Sequence, residues 1–509
     1  MENGTLLAAL DLGSNTFRLE IGRLDNGHIH RTEYLKESVR QGNGLDDENN
    51  LSVEAMQRGW DCLARFAERL TGFAPQHVHA VATQTLREAR NREVFLARAH
   101  EILGFPVNVI PGREEARLIY QGVVHMLPPS HERRLVIDIG GRSTELIIGH
   151  GYTATVLGSF PLGSVAWSMT YFPQGQLTAE AFKKADVVAR AVLEGAVYDY
   201  RRENWDVAYG ASGTVGAVSD VLTAAGWPEG LITRDGLDWL MNRLLKAQTV
   251  DKLRLEGMKD DRKLVIGGGL SVLRAAFDLM NIDQMQAADG ALRQGVLYDM
   301  IDRNQEQSDV RSSSVRQLAK KFGVDEAQAS RVTQAATTFF RQLQATQAPS
   351  GAGNTEHNTE HLSEHLNELI WAAQLHELGR HISGSSHHRH GAYILDNADA
   401  PGFAMSELHS LSQLVLGQRG KLRKVNIAYD KPICVHQILA LRLAIIVCHA
   451  RREPSVDGML LRARSDKTNG LVIECPAGWS QKFPQSAYLI REETLAWQKT
   501  PWAVTFNEA

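Results

Sequence analysis

Two nine-residue segments of this chain repeat the same pattern of residue types 127 positions apart, and this duplication limits the folds open to it. Residues 11–19 read DLGSNTFRL and residues 138–146 read DIGGRSTEL, each after an apolar run. Such runs are typical of buried strands, and the glycines require a tight turn whose backbone N–H groups can face an anion. Because an apolar pattern returns after each turn, we predict two phosphate-binding β-hairpins. A P-loop or a Rossmann fingerprint would instead place a helix after the glycines.

A third segment with phosphate-binding character lies between the second hairpin and a predicted helix. Residues 210–214 read GASGT; they follow a predicted strand at 207–209 and open a helix-like stretch near Val215. A glycine-rich turn at the start of a helix offers free N–H groups to an anion. We predict that this segment closes a cleft between the two duplicated halves.

On this ordering of motifs the chain resembles the superfamily of actin, sugar kinases and heat-shock chaperones, and more closely the exopolyphosphatase and guanosine pentaphosphate phosphatase family. The closer resemblance rests on further segments spread along the chain: ATQTLR at 82–87, GREEARLI at 112–119, DGALRQGVL at 289–297, WAAQLHELG at 371–379 and HRHGAYIL at 388–395. The last two are similar to the long, four-domain form of the family. The GASGT and HRHGAYIL segments look like the exopolyphosphatase versions. Arg142 departs from the family pattern, which has a third glycine at that point of the turn.

The resemblance implies an α/β fold in which duplicated actin-like (ribonuclease H-like) lobes clasp a phosphate cleft. An α-helical HD-like domain and a small mixed C-terminal domain would follow. The predicted boundaries give lobe I at 1–128, lobe II at 129–304, the helical domain at 305–420 and the C-terminal domain at 421–509.

The resemblance also implies roles for individual residues. The predicted catalytic residues are Glu115, as the base, with Asp138 and Glu145. The predicted metal ligands are Asp11, Asp138 and Glu145, because crowded carboxylates in a phosphate cleft need a cation such as Mg²⁺. The predicted phosphate-binding residues are Gly13, Ser14, Asn15, Thr16, Arg87, Gly140, Gly141, Ser143, Thr144, Gly210, Ser212, Gly213 and Thr214. Potassium is expected as an activator. For Glu115 the alternative is helix capping, by it or by Glu114.

Composition limits the partners. The net charge of −4 provides no general excess of Lys and Arg, so nucleic acid is not an expected partner. A polyanion would need locally gathered cations, and the candidates are Arg87, Arg90, Arg92, Arg113, Arg117, Arg133, Arg134, Lys421, Arg423 and Lys424.

The four cysteines are widely spaced and form neither a zinc signature nor a disulfide framework. No secretory signal or spanning helix is visible, so we expect a cytoplasmic protein, with a peripheral location at the inner membrane face left open.

Four functions remain compatible with the sequence. The first is an exopolyphosphatase that acts on inorganic polyphosphate; the second is a guanosine pentaphosphate phosphatase; the third is a sugar-kinase-like phosphotransferase; the fourth is a sensor that binds such ligands without turnover. The family resemblance also suggests a homodimer. The His376–Glu377 pair resembles the His–Asp pair of HD-type metal sites, but Glu stands in place of Asp. We therefore interpret the predicted helical domain as a scaffold whose metal site is degenerate.

Hydrophobic periodicity adds a coarse secondary structure for the remaining chain. Helices are predicted at 53–70, 114–124, 179–202, 315–344 and 364–378. A strand is predicted at 263–266, before a turn at Gly267–Gly269. The segment at 348–361, which holds a repeated NTEH motif, is predicted to be a mobile surface loop.

Overall fold

The computed structural model describes residues 1–302, 310–345, 356–454, 456–464 and 469–508. The chain divides into two compact units: unit 1 is Met1–Asp309 with Pro401–Ala404, and unit 2 is Val310–Ala400 with Met405–Ala509. The predicted boundary at 304/305 and the predicted loop at 348–355 lie outside the described residues. The other boundaries, at 128/129 and 420/421, fall inside the two units and stay predictions.

The first half of unit 1 is a five-stranded sheet with helices. Its order is β3-β2-β1-β4-β5; β1, β2 and β3 are antiparallel neighbours, and β4 and β5 continue parallel to β1. The strands are β1 (Leu6–Leu12), β2 (Phe17–Asp25), β3 (His28–Glu37), β4 (Val78–Ala82) and β5 (Val107–Val109). The helices are α1 (Val53–Arg69), α2 (Gln84–Glu88), α3 (Arg92–Leu103) and α4 (Gly112–Val124).

The second half of unit 1 repeats this arrangement with additions. Its six-stranded sheet has the order β10-β11-β9-β6-β7-β8, again with three antiparallel strands beside parallel ones. The strands are β6 (Arg133–Ile139), β7 (Thr144–His150), β8 (Thr153–Phe160), β9 (Val207–Ala211), β10 (Leu231–Thr233) and β11 (Gln284–Ala287). The helices are α5 (Ser164–Tyr171), α6 (Ala179–Leu193), α7 (Ser212–Ala224), α8 (Arg234–Ala247), α9 (Asp260–Lys263), α10 (Ile266–Leu279) and α11 (Leu292–Asp302).

The two predicted hairpins are confirmed, and they occupy the same place in both sheets. Asp11 of β1 pairs with Arg18 of β2, whereas Asp138 of β6 pairs with Glu145 of β7. Six of the seven residues of β1, and of β6, are buried. Because helices cover both faces of such sheets, these strands read as continuous apolar runs. The α/β fold with duplicated actin-like lobes follows from this repeat.

Two sequence predictions in unit 1 are wrong. The predicted strand at 263–266 does not form: Lys263 ends α9, residues 264–265 form a turn, and Ile266 begins α10. Gly267–Gly269 lie inside α10 rather than in a turn. A Cβ atom at Gly268 would lie 2.6 Å from the carbonyl oxygen of Ser164, so the glycines serve the close approach of α10 to α5. The predicted helix at 179–202 ends at Leu193.

Unit 2 is mostly helical and carries a small three-stranded sheet. Its helices are α12 (Val310–Lys321), α13 (Glu326–Ala345), α14 (Glu356–Gln374), α15 (His387–Asp396), α16 (Met405–Gly417), α17 (Pro432–Val447), α18 (Trp479–Lys482) and α19 (Pro484–Trp497). The strands β12 (Leu460–Ala463), β13 (Gly470–Cys475) and β14 (Ala503–Glu508) pair in chain order. None of the described helices is long and apolar enough to cross a membrane.

Two boundaries in unit 2 differ from the prediction. The single helix predicted at 315–344 is broken at Gly323, whose φ of +62° ends α12. The N–H groups of Gly323 and Val324 donate to the carbonyl oxygens of Lys320 and Ala319, which forms a Schellman motif. The second part of the predicted surface loop, from Glu356, belongs instead to α14.

Candidate active site

The two hairpin turns meet at a cleft of about 370 Å³ in unit 1. Most of the predicted site residues line it: Asp11, Gly13, Ser14, Asn15, Thr16, Glu115, Asp138, Gly140, Gly141, Ser143, Glu145, Ser212, Gly213 and Thr214. They come from the ends of β1 and β6, the turns that follow them, the start of β7, the start of α7 and the first turn of α4. Residues from both halves of the duplication therefore converge on one cavity.

The first glycine of each turn is required by a close approach within the turn. A Cβ atom at Gly13 would lie 3.0 Å from the carbonyl oxygen of Thr16, and a Cβ atom at Gly140 would lie 3.1 Å from the carbonyl oxygen of Ser143. The Gly140 N–H donates to this same Ser143 oxygen at 2.9 Å. The two turns thus share one geometry, as their common sequence pattern predicts.

Arg142 fits the second turn without the third glycine of the family pattern. Its φ lies outside the left-handed region, so the backbone does not need glycine there. Its guanidinium leaves the turn: Nη2 donates to Glu88 Oε2 at 3.0 Å, and Nη1 donates to the Gly42 carbonyl oxygen at 3.3 Å. The side chain is therefore held by Glu88 and Gly42.

The start of α7 combines two hydroxyls with an unusual backbone. Ser212 has a φ of +82°, in the left-handed region that non-glycine residues rarely adopt. Its hydroxyl and that of Thr214 donate to the Ile139 carbonyl oxygen at 2.8 Å and 3.1 Å. These bonds tie the GASGT segment to the end of β6, and backbone strain of this kind concentrates at functional sites.

Asp11, Asp138 and Glu145 are all buried, but their charges are compensated differently. Asp11 forms ion pairs with Arg18 at 3.2 Å and with Arg293 at 3.7 Å. Asp138 and Glu145 form no ion pair within the described residues, and Glu145 accepts a hydrogen bond from Ser159 Oγ at 2.8 Å. Asp138 and Glu145 therefore bear charge that the protein leaves largely unbalanced.

Burial and repulsion raise the pKa values of both unbalanced carboxyls. Burial, followed by the charge of Glu115, raises the pKa of Asp138 to about 7. Burial and the charges of Glu115 and Asp138 raise the pKa of Glu145 well above its ordinary value. Carboxyls with raised pKa values in one cleft are typical of catalytic sites and of sites that take up a cation.

Glu115 lines the cleft from α4. Its own N–H donates to the Pro111 carbonyl oxygen at 3.0 Å, and its Oε2 accepts from Arg87 Nη1 at 3.2 Å. Burial raises the pKa of Glu115, although Arg87 opposes the rise. The structure shows no side-chain cap at the start of α4, which removes the helix-capping alternative for both glutamates.

Glu114, the neighbour of Glu115, has a structural role. It binds the buried Arg117 with its two oxygens at 2.7 and 2.8 Å, and Arg117 also pairs with Asp299 at 2.6 Å. This triad joins α4 to α11. Of the two adjacent glutamates, Glu115 is the one that faces the cleft.

Three predicted phosphate-binding residues do not line the cleft. Arg87 lies behind Glu115 and donates to the Ile110 carbonyl oxygen at 2.8 Å. Thr144 is fully buried, and its hydroxyl donates to the Leu162 carbonyl oxygen at 2.6 Å, so it has no free group for phosphate. At Gly210 a Cβ atom would lie 2.5 Å from Met285 Sδ, which explains the glycine by packing within the sheet.

Of the five described cations that line the cleft, only Arg142 was singled out in the sequence. They are Arg18, Lys36, Arg142, Arg262 and Arg293. Arg18 stands in the second strand of the first hairpin, opposite Asp11, so the hairpin register could have identified it. Lys36 and Arg262 have no comparable local signal, because the fold brings them to the cleft from β3 and α9, whereas Arg293 of α11 lies within the segment 289–297 that supports the family resemblance.

The cation candidates chosen from sequence clusters do not line this cleft. Arg117 is occupied by Glu114 and Asp299. Arg133 is exposed and pairs with Asp206 at 2.6 Å. Arginine and lysine residues that lie close together in the sequence are therefore not the ones that line the cleft.

The donor set fits a hard divalent cation only in part. No group of three or more His, Cys, Asp or Glu side chains that could hold a metal ion exists in the described part of the chain. Magnesium is commonly held by one or two carboxylates, with substrate phosphates and water completing the shell. Asp138 and Glu145 fit that requirement. Asp11 does not, because Arg18 and Arg293 already balance its charge.

The predicted degenerate metal motif of unit 2 is engaged in other contacts. Burial lowers the pKa of His376, whose Nδ1 lies 2.7 Å from the Ala373 carbonyl oxygen. The Glu377 carboxylate accepts hydrogen bonds from Arg451 and from Arg380, with 2.6 Å to Arg380 Nη1. Guanidinium groups therefore occupy the carboxylate that a metal ion would need.

Comparison with known proteins covers most of the chain. Residues 21–304 match the sequence profile of the Ppx/GppA phosphatase family, and residues 310–494 match the profile described as Ppx/GppA phosphatase, domain III. A structure of the Aquifex aeolicus PPX-GPPA enzyme is 26% identical, with a TM-score of 0.50, over 58% of this chain and 99% of that one. An exopolyphosphatase from Cytophaga hutchinsonii is 26% identical, with a TM-score of 0.53, over 59% of this chain and 99% of that one.

Proposed function

Because this chain belongs to the Ppx/GppA phosphatase family, we propose that it is an exopolyphosphatase, which hydrolyses the terminal phosphoanhydride bond of inorganic polyphosphate and releases orthophosphate. The observation that carries the choice of substrate is the line of cations beside the hairpin turns. The name of the Cytophaga hutchinsonii relative agrees with this choice.

The cations extend from the cleft into an adjoining cavity of about 130 Å³. Lys36 and Arg262 line both cavities, and Lys259 lines the second. Asp220 and Asp261 line the second cavity as well and lie within 4.0 Å of these cations, so its lining carries one net positive charge. If the terminal phosphate of a polymer lies in the turns, the phosphates behind it would lie near these positive charges.

The cleft offers little to a guanine base. Among its described lining residues Tyr34 is the sole aromatic side chain. The guanidinium carbons of Arg293 and Arg31 lie 5.1 Å and 5.6 Å from the centre of its ring, so cations already contact it. Bases are commonly bound by stacking on free aromatic faces. We therefore favour the polymer over guanosine pentaphosphate.

In the proposed mechanism the N–H groups and hydroxyls of the two turns bind the terminal phosphate. Asp138 and Glu145 would hold Mg²⁺, which would offset the negative charge of the phosphates. Glu115 removes a proton from a water molecule, whose oxygen bonds to the terminal phosphorus while the bridging P–O bond breaks. The products are orthophosphate and a polymer shorter by one phosphate. Burial raises the pKa of Glu115, which makes its carboxylate a stronger base towards that water molecule.

The decisive measurement is orthophosphate release from long-chain polyphosphate and from guanosine pentaphosphate, side by side, with Mg²⁺ and with chelator. We expect polyphosphate to be preferred and chelator to abolish release. Preference for the nucleotide would instead assign the second activity of the family to this chain. Binding of both ligands without release would leave a sensor, and full activity in chelator would refute the magnesium assignment.

Substitution of the proposed base tests the mechanism. Glu115→Gln should lower orthophosphate release by about 10²–10⁴-fold, the usual contribution of a general base, and leave polyphosphate binding in place. Glu101→Gln, on the exposed face of α3, is the matched control and should not change release. Unchanged release in the Glu115 variant would move the role to another residue, with Glu145 the next candidate.

Activation by potassium and formation of a homodimer are further proposals that rest on the family resemblance. Orthophosphate release with and without K⁺ at constant ionic strength tests the first. Sedimentation at the assay concentration tests the second, and a monomer would refute it.

A further inference from the structure

A buried arginine without an acidic partner lies at the start of β6. Only 2% of Arg134 is exposed. Its Nη2 donates to the Pro128 carbonyl oxygen at 2.6 Å, its Nε has no hydrogen-bond partner, and its guanidinium lies 5.8 Å from the ring centre of Tyr209. No carboxylate of the described residues pairs with it. A buried charge is costly unless an opposite charge and hydrogen bonds compensate it.

Arg133, the adjacent residue in β6, shows how a carboxylate balances the charge of an arginine in this strand. Arg133 is exposed, and its guanidinium binds Asp206 through two hydrogen bonds of 2.6 Å and 3.1 Å. The buried arginine is thus the unpaired one, whereas the exposed arginine is paired.

Arg134 lines a cavity of about 290 Å³ beside the segment that joins α4 to β6. Val124, Pro129 and Tyr152 form apolar walls. His131 and His150 also line it, with their ring centres 6.2 Å apart. Ligand sites are commonly concave and apolar, with a few polar groups that fix orientation, and this cavity is at the small end of their range.

The cavity is separate from the active site. It shares no lining residue with the phosphate cleft. Arg134 is the second residue of β6 and Asp138 is its last but one, so the two sites lie towards opposite ends of one strand.

We propose that this cavity is a second binding site, which takes a small aromatic carboxylate. The carboxylate would bind the guanidinium of Arg134, and the ring would lie against Pro129 and Tyr152. One guanidinium matches one negative charge, and the apolar walls match an uncharged ring better than a second anionic group. The size of the cavity suits a single ring.

Benzoate is the test probe, titrated calorimetrically into the full chain. We expect saturable one-site binding that Arg134→Gln weakens by at least about tenfold, because a charge-assisted hydrogen bond is worth about that factor. Arg133→Gln should bind as the wild type does. Benzyl alcohol lacks the carboxylate and inorganic phosphate lacks the aromatic ring, so each should bind at least tenfold more weakly at this site.

A second variant keeps the test decisive if loss of Arg134 disturbs folding, which circular dichroism would reveal. Tyr152 is 53% exposed, so Tyr152→Ala should fold normally and weaken benzoate binding several-fold. No saturable binding to the wild type would overturn the proposal. Equal affinity of the wild type and either cavity variant would also overturn it, as would equal affinity for benzoate and inorganic phosphate.

Discussion

The carboxyl of Asp138 should make this protein less stable as the pH rises, and Asp138→Asn should remove that loss. Burial and the charge of Glu115 raise the pKa of Asp138 in the folded state to about 7, from an ordinary 3.8. Between these values the folded protein keeps a proton that the unfolded chain has lost. Since the unfolded state binds fewer protons, the free energy of unfolding falls as the pH rises through this window and is level above it.

The magnitude follows from the difference between the two pKa values. At about 1.4 kcal/mol per pKa unit, the raised pKa of Asp138 lowers the free energy of unfolding by about 4 kcal/mol at pH 8 and by about 1.5 kcal/mol at pH 5. The asparagine variant has no such charge, and it also relieves Glu145, whose pKa the charge of Asp138 helps to raise. The stability advantage of the variant should therefore grow by about 3 kcal/mol from pH 5 to pH 8.

Urea unfolding of both proteins at pH 5, 6, 7 and 8, in chelator and at constant ionic strength, measures this difference. Asp206→Asn is the matched control: hydrogen bonds from Arg133 lower the pKa of Asp206 to about 2, so its contribution does not change between pH 5 and pH 8. A stability difference between Asp138→Asn and the wild type that is constant over this range would refute the reasoning. Added Mg²⁺ should reduce the advantage of the variant at pH 8, because the ion stabilises the charged carboxylates.

Three further changes test individual contacts. Gly140→Ala should lower kcat/KM for orthophosphate release by more than about tenfold, because its Cβ would lie 3.1 Å from the Ser143 oxygen and would disturb the turn. Arg117→Met should lower the free energy of unfolding by about 3–5 kcal/mol in urea titrations, because the buried carboxylates of Glu114 and Asp299 would lose the positive charge of the guanidinium. Arg142→Ala should leave release within about threefold of wild type, since Glu88 and Gly42 hold its guanidinium; a larger loss would place Arg142 on the substrate.

The hairpins were predictable because their signal is local. Glycines between apolar runs specify a turn and two strands without any knowledge of the rest of the chain. The residues of these turns met at one cleft because their segments are repeated, and a duplicated fold places repeated segments at equivalent positions. Glu115 was identified by resemblance, and its position in the cleft agrees with that assignment.

The failures have physical causes of two kinds. The three consecutive glycines Gly267–Gly269 predicted a turn, because glycine has a low helix propensity. They lie inside α10 instead, since the close packing of α10 against α5 leaves no room for a larger side chain at Gly268. Thr144 and Gly210 lie within matching motifs, but a motif does not say which of its side chains face the cavity and which face the sheet. The cations Lys36 and Arg262 come from separate elements, so only the folded chain brings them together.

The duplication also explains how one backbone motif can serve two chemical purposes. Arg18 and Glu145 occupy the same position in the two hairpins, each directly opposite an aspartate. In the first hairpin the arginine balances Asp11, which makes this side of the cleft suited to bind phosphate. In the second hairpin the glutamate adds a carboxylate to Asp138, which makes that side suited to a metal ion. In the proposed mechanism phosphoryl transfer needs both an anion-binding surface and a cation at the reacting group, and the replacement of one arginine by a glutamate between the two copies would divide these tasks.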